Sequence, residues 1–282
     1  MSEDRDRDGV IETGRLASGH PFARIGRGSR IVLYLPGLSF TAEIPTVKST
    51  QRSWKAWLGP IEAHDLTVIQ VGRRADLTPG SSAADVAADY AAVIREQWGR
   101  PVGVMGVSTG GGYAQFLAAR HPDLVKRAVF GFTAHRITDD VKVRQRRAVD
   151  HFLAGRWRSG WAEFGPWFLP RFSRLGSAIA WLAGPYVGGR YDDLRVLRID
   201  ADSDDAFDAT DQLAAIRCPT LVISGGHDTA YPPAVVREFV AALPNTRHIE
   251  YPNAGHMGPG AAFAVDACAF LAAGPGPIAE GS

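Results

Sequence analysis

"GVMGVSTGGGYAQ", Gly103 to Gln115, sets one serine among glycines directly after an apolar run. Glycine inside a regular element destabilises it by roughly 0.5–1 kcal/mol relative to alanine, so Ser108 must have a reason to sit in such surroundings. The pattern Gly106-Val107-Ser108-Thr109-Gly110 supplies one. If a strand turns sharply into a helix with the serine at the apex, the residues two before and two after approach each other closely. Only small residues fit there. This is the G-x-S-x-G nucleophile elbow, which lifts the serine oxygen clear of the sheet. A helix starting near Thr109 would aim its unpaired N–H groups at any anion beside Ser108. A plain glycine turn is the bland alternative. A phosphate loop needs a lysine before its final Ser or Thr, and none is present. The spacing G-x-G-x-x-G of a dinucleotide loop does not fit either.

A serine hydroxyl attacks well only when a base takes its proton and a third group holds that base. "LVISGGHDTAYPP" ends an apolar run and presents Asp228, and "RHIEYPNAGHMG" ends the next and presents His256. Both stand where a strand gives way to a loop, the place where open α/β sheets build their sites. An oxyanion formed at Ser108 needs two donors. The N–H of Thr109 is one, and the N–H of Leu38, in "YLPGLSF" (Tyr34 to Phe40), is the other. Gly37 lets that backbone come close, and the Ser39 hydroxyl is either a further polar group for the substrate or an ordinary solvated serine. The other histidines lack this context. His227 precedes the last strand, His121 ends a helix, His20, His64 and His248 lie near loops or strand edges, and His135 and His151 fall in a different region.

Five runs read as buried parallel strands: Arg30 to Gly37, Leu66 to Gly72, Pro101 to Gly106, Arg127 to Phe132 and Pro219 to Gly226. Helical patterns alternate with them over Ser81 to Gly99, Gly110 to Pro122 and Pro233 to Pro244. Such alternation predicts an α/β fold, a mostly parallel central sheet flanked by helices. It breaks over residues 134–212, which are helical in pattern and rich in aromatic rings. That segment is expected to be an inserted helical cap on a core formed by residues 1–133 and 213–282. Some of Trp157, Trp161, Trp167, Phe168 and Trp181 are expected to face Ser108 and roof an apolar pocket, with packing of the cap onto the core as the alternative for any single ring. Val149, Phe152, Leu153 and Trp157 fall at the spacing of one helical face. Residues 1–9 and 273–282 read as disordered tails.

Composition narrows the function. The 282 residues carry a net charge of +1, so no overall basic character points to nucleic acid. The arginines of "RQRRAVDHFLAGRWR" read as a solvated helix face. Two cysteines, Cys218 and Cys268, make neither a disulfide framework nor a paired metal motif. The charged start is no signal peptide, and no apolar stretch is long enough to span a bilayer. A cytoplasmic protein is the expectation, monomer or homodimer being left open. Acids at Asp200, Asp202, Asp204 and Asp211 echo a calcium loop, but Asp205 stands at the sixth position and Asp211 at the twelfth, where glycine and glutamate belong. Helix capping and first-turn acids explain them more simply, so neither metal nor cofactor is expected.

With "GVSTGG", "GGHDTAYPP" and "NAGHMG" in the chain order Ser108, Asp228, His256, the sequence resembles the α/β-hydrolase superfamily over about residues 10–273. The resemblance implies a single-chain serine hydrolase with a cap, of the esterase and lipase kind. Two places depart from it. Pro36-Gly37 stands where many relatives have His-Gly, and "QVGRRADLTPG" replaces an Asp-x-Arg-Gly-x-Gly-x-Ser run beside the site. The resulting expectation is hydrolysis of an ester, thioester or lactone of a small, mainly apolar substrate through an acyl-enzyme. Carbon–carbon bond hydrolysis or acyl transfer by the same triad is the alternative. A ligand-binding protein without turnover is the third reading. Epoxide hydrolases and haloalkane dehalogenases of this fold use aspartate where Ser108 stands.

Overall fold

A computed structural model describes residues 4–6 and 8–274. Nine strands form one sheet among these residues: β1 (Asp4–Arg5), β2 (Ile11–Arg15), β3 (Pro21–Ile25), β4 (Arg30–Leu35), β5 (Leu66–Val71), β6 (Val102–Val107), β7 (Val125–Gly131), β8 (Thr220–Gly225) and β9 (Thr246–Tyr251). Their spatial order is β1-β2-β3-β5-β4-β6-β7-β8-β9. From β5 to β9 every pairing is parallel, and β1 to β3 extend the sheet antiparallel. The protein thus has the α/β-hydrolase fold, with the strand read from each of the five apolar runs in place to within two residues.

Besides β1, the strands that the sequence did not single out are β2 and β3. Their sequences, "IETGR" and "PFARI", interleave charge with apolar residues. Glu12 is nonetheless buried in β2, where Arg24 from β3 and Arg5 neutralise it. Arg5 belongs to β1, which pairs with β2, so the expected loose start is corrected at Asp4–Arg5. Of the expected tails, residues 1–3, 7 and 275–282 lie outside the described residues.

Helices cover both faces. Before the elbow come α1 (Val47–Trp54), α2 (Leu58–Ala63) and α3 (Ala83–Gln97), and after it α4 (Thr109–Arg120). Ser82 caps α3, its hydroxyl accepting from Asp85 N while Asp85 accepts from Ser82 N, a reciprocal box that fixes the helix start. Between β7 and β8 the chain adds α5 (Asp139–Leu153), α6 (Trp157–Glu163), α7 (Gly165–Phe168), α8 (Ser173–Val187) and α9 (Arg195–Ala206). Then follow α10 (Pro233–Ala242) and α11 (Ala261–Ala272). Helices α3, α4 and α10 close one apolar core against the sheet, and α1, α2 and α11 close the other. The inserted helices hold a third, smaller core around Phe152, Trp161 and Phe164. The expected face of Val149, Phe152, Leu153 and Trp157 is only half realised. Helix α5 ends at Leu153, which is exposed, and Trp157 opens a new helix.

Candidate active site

Strand β6 delivers Ser108 at the centre of the sheet and α4 begins on the next residue. Ser108 has φ 54° and ψ −127°, a conformation costly for a residue with a side chain. The flanking glycines make it attainable. A Cβ on Gly106 would lie 2.4 Å from the Gly110 carbonyl oxygen, and one on Gly110 would lie 2.2 Å from that of Leu35. Both contacts are with backbone, which cannot move aside, so glycine is required at the two places.

Ser108 Oγ is 3.1 Å from His256 Nε2, and His256 Nδ1 is 2.9 Å from Asp228 Oδ2. The other oxygen of Asp228 accepts from Ala230 N and Tyr231 N at 2.8 and 3.0 Å. Two backbone donors thus aim this buried carboxylate, and it in turn orients the imidazole. His256 is flanked by the rings of Trp167 and Tyr231. Of the other histidines, His20 faces Asp89, His227 faces Arg171 and His248 faces Ser224.

The segment Pro36–Ser39 passes directly beside the elbow. A Cβ on Gly37 would come 3.2 Å from Ser108 Cβ, so the next residue, Leu38, follows at the edge of Ser108. Leu38, Ser108 and His256 share a cavity of about 560 Å³. Its walls are apolar: Trp54, Trp57 and Phe263 from the core, and Trp161, Phe164, Trp167 and Phe168 from the inserted helices. Of the five candidate rings, Trp161, Trp167 and Phe168 line the cavity of Ser108. Trp157 and Trp181 do not. Trp157 packs on Phe152 and Tyr191 within the insertion, and Trp181 lies half exposed beneath the Arg158 guanidinium. Ser39 does not line the cavity either: its hydroxyl donates to the Gly37 carbonyl at 3.4 Å and its N–H to Asp200 Oδ2 at 2.9 Å.

Asp200 leads to the residues that sequence reasoning missed. Arg73, just past β5, is fully buried and donates to Asp200 Oδ1 at 3.1 Å. The same guanidinium donates to the carbonyl oxygens of Pro36 and Gly37 at 2.9 and 3.2 Å. Tyr113 donates its hydroxyl to Asp200 at 2.9 Å. Burial alone would lower the Arg73 pKa, but Asp200 and the two tyrosines Tyr90 and Tyr113 outweigh it and raise it. One turn further along α9, Asp204 Oδ2 accepts from Thr109 Oγ1 at 2.7 Å and from Gln145 Nε2 at 3.0 Å. Burial pushes the Asp204 carboxyl up to about 7, against the lowering by those two hydrogen bonds. The acids read as capping and first-turn residues are thus corrected at Asp200 and Asp204. They stand in the middle and last turns of α9 and point inward. Their i, i+4 spacing was the available signal, since it puts both on one helix face.

Among the described residues, no three side chains of His, Cys, Asp and Glu converge as a metal-binding group. Cys218 and Cys268 are unpaired thiols whose pKa values burial raises. No helix among the described residues is long and apolar enough to cross a membrane.

A sharp strand-to-helix turn bearing Ser108, with an Asp-oriented histidine at its oxygen, is the constellation by which one large enzyme family is recognised. The profile of the Alpha/beta hydrolase family matches residues 32–269, and the chain belongs to that family as a hydrolase. It is 31% identical over 190 residues to BpoC of Mycobacterium tuberculosis, a protein named as a non-heme bromoperoxidase, covering 64% of this chain and 70% of that one. The crystal structure of BpoC superposes with a TM-score of 0.72 at 23% identity, over 92% of this chain and 97% of that one. A pimeloyl-[acyl-carrier protein] methyl ester esterase of Neisseria meningitidis is 29% identical over 171 residues, 58% of this chain and 65% of that one. The enol-lactonase of Burkholderia xenovorans shares the fold with a TM-score of 0.69 at 19% identity, over 92% of this chain and 99% of that one.

Proposed function

We propose that the protein is a serine hydrolase that cleaves an ester, thioester or lactone of a small, mainly apolar molecule through an acyl-enzyme on Ser108. What carries this reading is the pair of hydrogen bonds from Ser108 Oγ to His256 Nε2, 3.1 Å, and from His256 Nδ1 to Asp228, 2.9 Å, opening on an apolar cavity. His256 takes the serine proton as Ser108 Oγ attacks the carbonyl carbon. The N–H groups of Thr109 and Leu38 receive the oxyanion, and His256 returns the proton to the leaving oxygen or sulfur. Water, deprotonated by the same imidazole, then releases the acid. The inserted helices act as a cap, with Trp161, Trp167 and Phe168 closing over the acyl or alkyl chain. A methyl ester esterase and an enol-lactonase among the similar proteins support the ester or lactone class.

The test is covalent. A fluorophosphonate phosphonylates only an activated serine, with loss of fluoride. The wild type should label and hydrolyse p-nitrophenyl acyl esters, with kcat/KM rising severalfold per added methylene until the cavity is full. Ser108→Ala should abolish both while keeping its circular dichroism spectrum. Turnover in Ser108→Ala within tenfold of wild type would overturn the assignment.

A further inference from the structure

The loop after β4 and the elbow between β6 and α4 meet at Ser108, and α9 reaches both of them. Asp200 and Asp204 lie one turn apart on its inward face, and both are buried. Asp200 holds the loop on both sides of Leu38. It accepts the N–H of Ser39, and through Arg73 it fixes the donor that grips the carbonyls of Pro36 and Gly37. Tyr90 and Tyr113 complete the setting of the arginine and the carboxylate. Asp204 holds the elbow through the hydroxyl of Thr109, the first residue of α4 and the one after the nucleophile. Each carboxylate therefore secures the peptide that carries one of the two donors assigned above.

Stability alone explains this poorly. Burying the Arg73–Asp200 pair costs several kcal/mol per ion in desolvation, burying the polar Asp204 carboxyl adds to that, and apolar residues of similar volume often do as well or better. A fixed dipole near a developing negative charge is different, because its value depends on not having to reorganise when the charge forms. We propose that Asp200 and Asp204, with Arg73, are positioning residues that hold the N–H groups of Leu38 and Thr109 in oxyanion-binding geometry, so that the inserted helices set the rate of bond making as well as the shape of the pocket. This rests on the serine hydrolase reading given above.

Three variants test it: Asp204→Leu and Thr109→Val, which break one bond from opposite ends, and Arg73→Lys, whose single ammonium cannot span Asp200 and two carbonyls. Each is measured for kcat and KM on p-nitrophenyl butyrate, for inhibition by an aliphatic trifluoromethyl ketone, and for its melting temperature. The ketone adds Ser108 Oγ to its carbonyl carbon and leaves the oxygen anionic, so its affinity reports the hole. In each variant kcat should fall about tenfold to a hundredfold with KM within threefold, and ketone affinity should fall in step. Asp204→Asn, which keeps an acceptor for Thr109, should restore kcat to within threefold of wild type. If Asp204→Leu does not fold, Thr109→Val decides the point, since it leaves α9 untouched. Variants that melt earlier yet keep kcat and ketone affinity would overturn the proposal and leave α9 as an anchor. Failure of the wild type itself to label with fluorophosphonate would instead remove the hydrolase reading.

Discussion

Helices α8 and α9 belong to the same insertion and reverse the usual sorting of residues. Helix α8 contains no acid and turns Leu175, Ile179, Trp181, Leu182, Tyr186 and Val187 outward. Helix α9 is rich in aspartate and encloses two of them, Asp200 at 0% and Asp204 at 4% exposure. The reason is what each meets. Helix α8 packs through its small residues: Gly176 lies on Gly165, and Gly184 on Trp161, so close that a Cβ on either would overlap its neighbour. Its large residues have nowhere to go but outward. Helix α9 meets Arg73, Tyr113, Thr109 and Gln145, which satisfy carboxylates. Composition thus says little about which face of a helix is buried; the shape and polarity of the partner decide.

The contrast can be broken hardest at its charged end. Asp200→Ala leaves the Arg73 guanidinium buried without its counter-ion and should cost about 3–5 kcal/mol of unfolding free energy, read as a lower urea midpoint at unchanged slope. A loss under about 1 kcal/mol would mean that the pair is dispensable to the fold.

Asp204 gives the next effect, and it depends on pH. Its folded pKa of about 7 stands above the ordinary value near 3.8, so between those values the folded chain holds a proton that the unfolded chain has released. Stability falls with rising pH wherever the folded state binds more protons. Relative to Asp204→Asn, which does not titrate, the wild type should lose on the order of 2–4 kcal/mol from about pH 4 to about pH 7. Urea midpoints of the two proteins across that range give the answer, and a constant gap would mean that Asp204 ionises like an exposed carboxyl.

The smallest change belongs to the other helix. Leu182→Gln, on the outer face of α8, should shift stability by no more than about 0.5 kcal/mol. A larger loss would show that this face is covered in solution.

The same contrast marks what the sequence disclosed. The five strands were legible because parallel strands covered on both faces are apolar throughout. Ser108, Asp228 and His256 were legible because each combines a reactive residue type with a strand end. Arg73 and Asp200 were not, because their meaning lies in a partner 127 residues away, and lone charges read as solvated. Which of the five candidate rings face the cavity was not legible either, for a related reason. A count of aromatic rings carries no direction, and only packing against Phe152 or beneath Arg158 reveals that Trp157 and Trp181 turn from the cavity. Strands β2 and β3 were obscured by charges that neutralise one another across the ladder.

The separations along the chain carry a consequence for folding. Ser39 and Asp200 are 161 residues apart, and Ser108 and His256 are 148 apart. Closing such loops costs entropy before any contact repays it, and pairings this distant come slowly. The strained turn at Ser108 is local and can be laid down with β6 and α4. His256 reaches Ser108 only with the chain beyond β9, and the grip on the Leu38 loop comes only after α9 has docked. Refolding can therefore restore helix and sheet signals while hydrolysis still lags, and recovered turnover is the measure of a chain that has finished folding.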